Sequence, residues 1–232
     1  MSERRPRIAV VVFPGSNDER DAARALAALE AEPVLVWHAE PELPEVTGVV
    51  LPGGFSYGDY LRAGAIARFS RVMVAVERFA GEGGPVLGIC NGFQILAETG
   101  LLPGALGPNA PASFVCRDVT VRVERTETPF TARCSEGQRL TIPVKHGEGR
   151  WVADAETIAE LEASNRIVLR YDGDNPNGSL ADVAGVVSEE GNVLGLMPHP
   201  EHAVDPLLGS TDGAAILGSL VDAARALTLA AA

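Results

Sequence analysis

Apolar residues in the first half of the chain fall into short, nearly unbroken runs, at 8–13, 34–37, 49–51 and 86–89. Each run is rich in β-branched residues and stops at proline, at glycine or in a polar turn, the pattern of strands buried on both faces of a parallel sheet. Between them, residues 21–32 and 69–80 space their apolar positions at helical intervals, the first stretch following the capping candidates Ser16, Asn17 and Asp18. From Phe114 the texture changes: 119–123 and 140–144 alternate, and further strand runs fall at 167–171, 183–187 and 193–196. Strand–helix–strand order followed by alternating segments predicts an α/β fold, a flavodoxin-like doubly wound mixed sheet sandwiched by helices. In such sheets ligands bind beyond the carboxyl ends of the strands. No internal repeat, low-complexity tract or long linker interrupts the pattern, so one domain is expected across 1–232.

Composition narrows the function. The formal charge of −12 leaves no basic face for phosphates or anionic lipid, so neither nucleic acid nor membrane is expected as a partner. With 46% hydrophobic and 22% charged residues the chain can build a real core. Three cysteines, Cys90, Cys116 and Cys134, are too few and too scattered for a disulfide framework or a zinc knuckle, which suits a reducing cytosol. The basic start MSERRPR is followed by only six apolar residues, shorter than a signal-peptide core. The Ala/Leu-rich tail from Gly213 carries Asp222 and Arg225 near its middle and reads as a closing amphipathic helix, not a membrane span.

The chemistry starts in residues 86–94, where an apolar strand runs into Gly88-Ile89-Cys90-Asn91-Gly92 and then a helical stretch. Gly-x-Cys-x-Gly is the pattern of a nucleophile elbow, a reversal so tight that side chains two residues either side of the nucleophile would collide. A thiol has an ordinary pKa of ~8.5, and a helix N-terminus with a nearby base favours the attacking thiolate. Cys116 and Cys134 lack such a setting and are expected as small core hydrophobes.

A thiol nucleophile for acyl transfer needs a base and an orienter. Met197-Pro198-His199-Pro200-Glu201 follows a buried strand, and Pro200 disfavours helical geometry at His199. In an extended segment residues two apart share a side, so Glu201 can hold the His199 imidazole. On the same reasoning His202 faces away, and His38 has no motif around it. Charge developing on oxygen needs donors in place: the N–H of Asn91 is one, and Gly53 or Gly54 is the candidate for the second. No Gly-Lys-Ser/Thr phosphate loop and no Gly-x-Gly-x-x-Gly after a strand is present, so this chain is expected to hold neither ATP nor a dinucleotide. Residues 172–178 resemble a calcium loop only loosely, with Gly178 at the seventh position and Val183 at the twelfth, and read as a turn; no metal is expected.

Taken together, Gly53-Gly54-Phe55-Ser56-Tyr57-Gly58-Asp59-Tyr60-Leu61-Arg62-Ala63-Gly64, the Cys90 elbow through Gln94, His146-Gly147-Glu148-Gly149, Asn175-Pro176-Asn177-Gly178-Ser179 and the His199 segment resemble the class I glutamine amidotransferases. The Phe-Ser-Tyr-Gly-Asp-Tyr-Leu-Arg and Cys-Asn-Gly-Phe-Gln stretches are similar to the branch that serves purine nucleotide synthesis. The resemblance implies a triad of Cys90 as nucleophile, His199 as general base and then acid, and Glu201 as orienter. It also implies substrate contacts from Gln94 and from the backbone around His146, Gly147 and Glu148. It further implies a large synthetase subunit that carries ATP and Mg, a small bridging subunit, and transfer of ammonia from glutamine to formylglycinamide ribonucleotide. The family's Asn-x-Ser-x-x-Phe pattern is altered here to Asn109-Ala110-Pro111-Ala112-Ser113-Phe114, which argues against a binding role for that loop. Two rivals stand beside this reading. One is a flavodoxin-like cysteine hydrolase, which places a histidine close after the nucleophile where this chain has Asn91; the other is a non-catalytic scaffold, which has no need of Cys90, His199 and Glu201 together.

Overall fold

The computed structural model describes residues 5–230; the first four residues of the basic start and the last two of the tail lie outside the described residues. Its centre is a nine-stranded sheet in the order β2-β1-β3-β4-β11-β10-β9-β6-β7. Five of these strands are parallel neighbours: β1 (Arg7–Val12), β2 (Glu32–Trp37), β3 (Gly48–Leu51), β4 (Val86–Ile89) and β11 (Val193–Leu196). Their order is that of a flavodoxin-like sheet. β3 and β4 are buried at every residue, as continuous apolar runs in a two-sided sheet should be. The antiparallel wing is formed by β6 (Val115–Val123), β7 (Arg139–His146), β9 (Ile167–Tyr171) and β10 (Val183–Val187), and in β7 buried residues alternate with more exposed ones.

Three helices pack on the parallel part: α1 (Glu19–Ala28), α2 (Arg71–Gly81) and α3 (Asn91–Thr99). The first ends earlier than its apolar spacing predicts. Glu30 takes φ +68, and Glu32 is already the first residue of β2. Three elements escaped the pattern: the small ladder of β5 (Ala105–Gly107) with β8 (Arg150–Val152), and α4 (Ala155–Ala163), which Asp154 caps by accepting from the Thr157 amide at 2.8 Å. The short pair carries too few residues to show a period. The last helix, α5 (Gly213–Ala230), is long and apolar enough to cross a bilayer, but it buries Ile216, Leu217, Leu220, Val221 and Ala224 against the domain. On its other side Asp222 pairs with Arg133. Cys116 and Cys134 depart from the expected core role: Cys116 is exposed on β6 and Cys134 is half-buried, with burial pushing its thiol up to about 11.

Candidate active site

The reversal from β4 into α3 is built around one strained residue. Cys90 takes φ +51 and ψ −103, a region L side chains rarely occupy, and it lies between glycines with no room for a Cβ. A Cβ on Gly92 would collide with the Leu51 carbonyl, and one on Gly88 would meet the Gly92 carbonyl at 2.7 Å. The neighbouring strand and the first turn of α3 thus fix where the sulfur points. It projects into a cleft walled by Asn17, Asp18, Gly54, Phe55, Asp59, Gln94, Phe114, Lys145, His146, Gly147, Glu148 and His199. Most of these belong to the carboxyl-end loops of the parallel strands or to the adjoining end of β7; Gln94 comes from the first turn of α3 and Phe114 from the loop before β6.

His199 reaches the cleft from the loop after β11, and Glu201 of the same loop is bonded to it. Both are buried, and His199 Nδ1 lies 2.6 Å from Glu201 Oε1. An ionised carboxylate only accepts, so Nδ1 carries the proton and Nε2 is left toward the cleft, buried and without a partner among the described residues. The pair forms by a different geometry from the expected one. Only His199 is near-extended, at φ −105 and ψ 85, and Pro200–His202 is a 3-10 turn. That turn also corrects the expectation for His202. Its Nε2 swings back to 3.7 Å from Glu201 Oε1 and 3.2 Å from Asp18 Oδ1. Burial disfavours charge on His199, yet the Glu201 carboxylate and the Cys90 sulfur outweigh it and hold the imidazole well above the ordinary histidine value.

The oxyanion candidates separate. The carbonyl of Gly53 accepts from the amides of Asn17 and Asp18, both at 3.2 Å. In a trans peptide the N–H points opposite to the carbonyl, so the Gly54 N–H turns away from Asn17 and Asp18. Gly54 is a wall of the cleft, with φ +148, whereas Gly53 packs its Cα side against Asp18 and His199. Asn91 opens α3 directly after the nucleophile. Its side-chain Oδ1 accepts from the Ser56 amide at 3.1 Å, which ties the glycine loop to the elbow.

The expected substrate residues are all in the wall, but not all are free. The Gln94 amide nitrogen donates to the Glu148 carbonyl, and its oxygen accepts from Asn91 Nδ2 at 2.9 Å. Gln94 therefore holds the wall together. His146 is buried, and Asn109 fixes it. Asn109 Nδ2 donates to the carbonyls of Ser113 and His146, so Asn109 Oδ1 receives the His146 Nδ1 proton at 3.0 Å and the Gly149 amide at 2.9 Å. Burial and the nearby His199 charge lower His146 to about 4, so it is a neutral ring whose Nε2 has no partner among the described residues. The loop from Asn109 to Phe114 thus matters despite Pro111, which is exposed: Asn109 clamps the His146 segment and Phe114 walls the cleft. Asp59, half-buried opposite Glu148, is pushed up to about 6 by burial and by that neighbouring charge.

Sequence reasoning missed Asp18, Lys145 and Asp59. Asp18 is one of three capping candidates for α1, and its backbone does occupy the N-cap, but its side chain makes no capping bond. Instead its buried carboxylate accepts from Lys145 Nζ and lies 3.6 Å from His199 Nδ1. The one available signal was position, a polar residue just past the end of a buried parallel strand. Asp18, His199, Glu201 and His202 bring their donor atoms within 4.8 Å of one another, a metal-like spacing. The Lys145 ammonium already lies against Asp18 and His202, so a built-in cation occupies the electrostatic place a metal would take. The arrangement is suited to moving protons beside the Cys90 sulfur.

Residues 5–214 match the CobB/CobQ-like glutamine amidotransferase domain. The chain is 61% identical over 219 residues to a phosphoribosylformylglycinamidine synthase subunit PurQ of Rubrobacter xylanophilus, covering 94% of this chain and 99% of that one. To the subunit of the same name from Frankia casuarinae it is 56% identical, over 93% of each chain. Among solved structures, a chain of PurLQS from Thermotoga maritima superposes with a TM-score of 0.87 at 44% identity, covering 94% of this chain and 99% of that one. A putative GMP synthase subunit from Thermoplasma acidophilum, at 17% identity and a TM-score of 0.68 over 98% of both chains, shares the fold. With an elbow cysteine, a carboxylate-held histidine and a family match over nearly its whole length, the chain belongs to the CobB/CobQ-like glutamine amidotransferases.

Proposed function

We propose that this chain releases ammonia from glutamine through Cys90, His199 and Glu201, as the glutaminase subunit of a phosphoribosylformylglycinamidine synthase. The Cys90 thiol gives its proton to His199 Nε2 as the sulfur bonds to the side-chain carboxamide carbon, and the charge gathered on oxygen is received by the N–H groups of Asn91 and Gly54. As the C–N bond breaks, the proton on His199 Nε2 goes to the departing nitrogen. Water then loses a proton to His199 Nε2 and attacks the thioester; the C–S bond breaks to give glutamate, and the sulfur takes that proton back. Glu201 keeps the imidazole oriented throughout. The neutral His146 and the Gly147–Glu148 backbone, braced by Gln94, frame the amino-acid end of the substrate.

The observation that carries this reading is that His199, held by a buried 2.6 Å bond to Glu201, stands in the wall of the same cleft as an elbow cysteine. The relatives named as subunits of that synthase, 54–61% identical, support the pathway. The proposal extends to a separate synthetase subunit carrying ATP and Mg, a small bridging subunit, and a cytosolic setting in which ammonia passes between chains to formylglycinamide ribonucleotide. Co-expression with the synthetase tests it. Glutamate and the amidine product should form one to one, and a glutamine-mimicking diazo-ketone should label Cys90 unless glutamine protects it. No labelling in the assembled complex, or labelling that glutamine does not block, would sink the assignment.

A further inference from the structure

We propose that Asp18 is a positioning residue that sets the charge of the His199 imidazole, and that Lys145 limits its effect. The inference rests on reading His199 as the proton carrier. Asp18 is 3% exposed, so its carboxylate must be paired inside the protein. Its Oδ1 accepts from Lys145 Nζ and lies 3.2 Å from His202 Nε2, while its Oδ2 lies 3.6 Å from His199 Nδ1. At 3.6 Å the last contact is electrostatic, because Nδ1 already donates to Glu201 at 2.6 Å. The imidazole therefore faces two carboxylates, one bonded and one through space.

Every charged or titratable group packed on His199 fits this scheme. Glu201 and His202 come from its own turn, Asp18 from the loop after β1, Lys145 and His146 from the end of β7, and Cys90 from the elbow. Lys145 only donates, and its Nζ lies 2.9 Å from His202 Nε2, so in that bond the ring nitrogen accepts. The ammonium then offsets much of the Asp18 charge and keeps the imidazolium from being held too firmly to give up its proton. Asp18 also reaches the oxyanion loop: its amide donates to the Gly53 carbonyl, and a Cβ on Gly53 would meet both His199 and the Asp18 carboxylate. One residue thus touches the base and the peptide that carries the Gly54 N–H.

An NMR titration of the histidine-¹⁵N-labelled full chain tests the proposal, in a Cys90→Ala background so that no sulfur titrates beside the ring. Asp18→Asn should lower the His199 midpoint by about one pH unit, given a charge at this distance partly offset by Lys145. Lys145→Met should raise it, and Asp18→Glu should restore it to within a few tenths of a unit. Opposite shifts from two neighbouring substitutions exclude a common loss of packing. A midpoint unmoved in Asp18→Asn, or moved the same way by both variants, overturns the proposal, whatever the substrate proves to be. In the assembled enzyme Asp18→Asn should bring the basic limb of kcat to lower pH with KM for glutamine within twofold; a raised KM with an unmoved limb counts against it.

Discussion

The two ends of the parallel strands open into clefts of opposite character. At the amino end a cleft of about 420 Å³ is lined by Glu77, Arg166, Glu189, Glu190 and Asn192, among others. At the carboxyl end the cleft around Cys90 measures only about 110 Å³. The larger one is relaxed. Arg166 is satisfied by Glu160 and the Val187 carbonyl, Asn192 donates to the carbonyls of Ala80 and Gly84, and glycines 81 and 100 face open space. The smaller one holds a cysteine at φ +51, glycines with no room for a methyl, and buried Asp18, His199 and Glu201. Volume therefore does not mark the site. Strain and desolvated charge persist only where the surrounding fold over-determines them, and here that is the carboxyl end of the strands.

The largest contrast to test is in turnover. Cys90→Ala should abolish glutamine hydrolysis in the assembled enzyme, by about 10⁴-fold or more, while Glu189→Gln at the amino end should leave it unchanged. Glutamate production reads both, and a loss of turnover in Glu189→Gln would break the comparison. Cys90→Gly should be just as inactive but more stable than Cys90→Ala by about 1 kcal/mol in denaturant unfolding, because glycine accepts the backbone angles of the elbow.

Next in size is Glu201→Gln, expected to lower kcat by about 10²- to 10⁴-fold by unsettling the imidazole. It also has a stability signature with a definite sign. His199 binds its proton more tightly folded than unfolded, so the pair's contribution is complete below the ordinary histidine pKa of ~6.5 and fades as pH climbs toward the raised folded value. The stability gap between the parent and Glu201→Gln should narrow across that window; a gap that widens with pH would contradict the assignment of the charge.

Glycine substitutions sharpen the contrast in packing. Gly92→Ala should cost about 3 kcal/mol or more, since its Cβ would enter the Leu51 carbonyl, whereas Gly100→Ala, with φ +80 but open space, should cost about 1 kcal/mol of strain. Equal losses would show that the elbow is less tightly pinched than its geometry requires.

The smallest effect concerns Asp59. Its pKa is raised, so ionising it costs stability as pH rises from about 4 through 6. Asp59→Asn should stabilise the protein at pH 7 by about 1 kcal/mol, a figure reduced from the full shift because the group is half-exposed, and the gain should vanish below pH 4. A gain that persists at pH 4 would assign the effect to something other than charge.

What could be read from residues alone was whatever short-range chemistry writes into neighbouring positions. The buried runs gave the parallel strands, the paired glycines around Cys90 gave the elbow, and His-Pro-Glu gave a base next to its carboxylate, although through a 3-10 turn in place of an extended segment. Asp18 looked like a helix cap and His202 like a solvated neighbour because their partners are far along the chain: Lys145 is 127 residues from Asp18, and His202 is 184. Asn109, which fixes the His146 ring 37 residues away, was hidden for the same reason. Local pattern determined the fold class and the elbow that carries Cys90, because backbone sterics and hydrophobic period act over a few residues. Only tertiary structure decided which charges surround the imidazole, because those depend on distances set by the packing of the β1 loop, the end of β7 and the loop after β11 against one another.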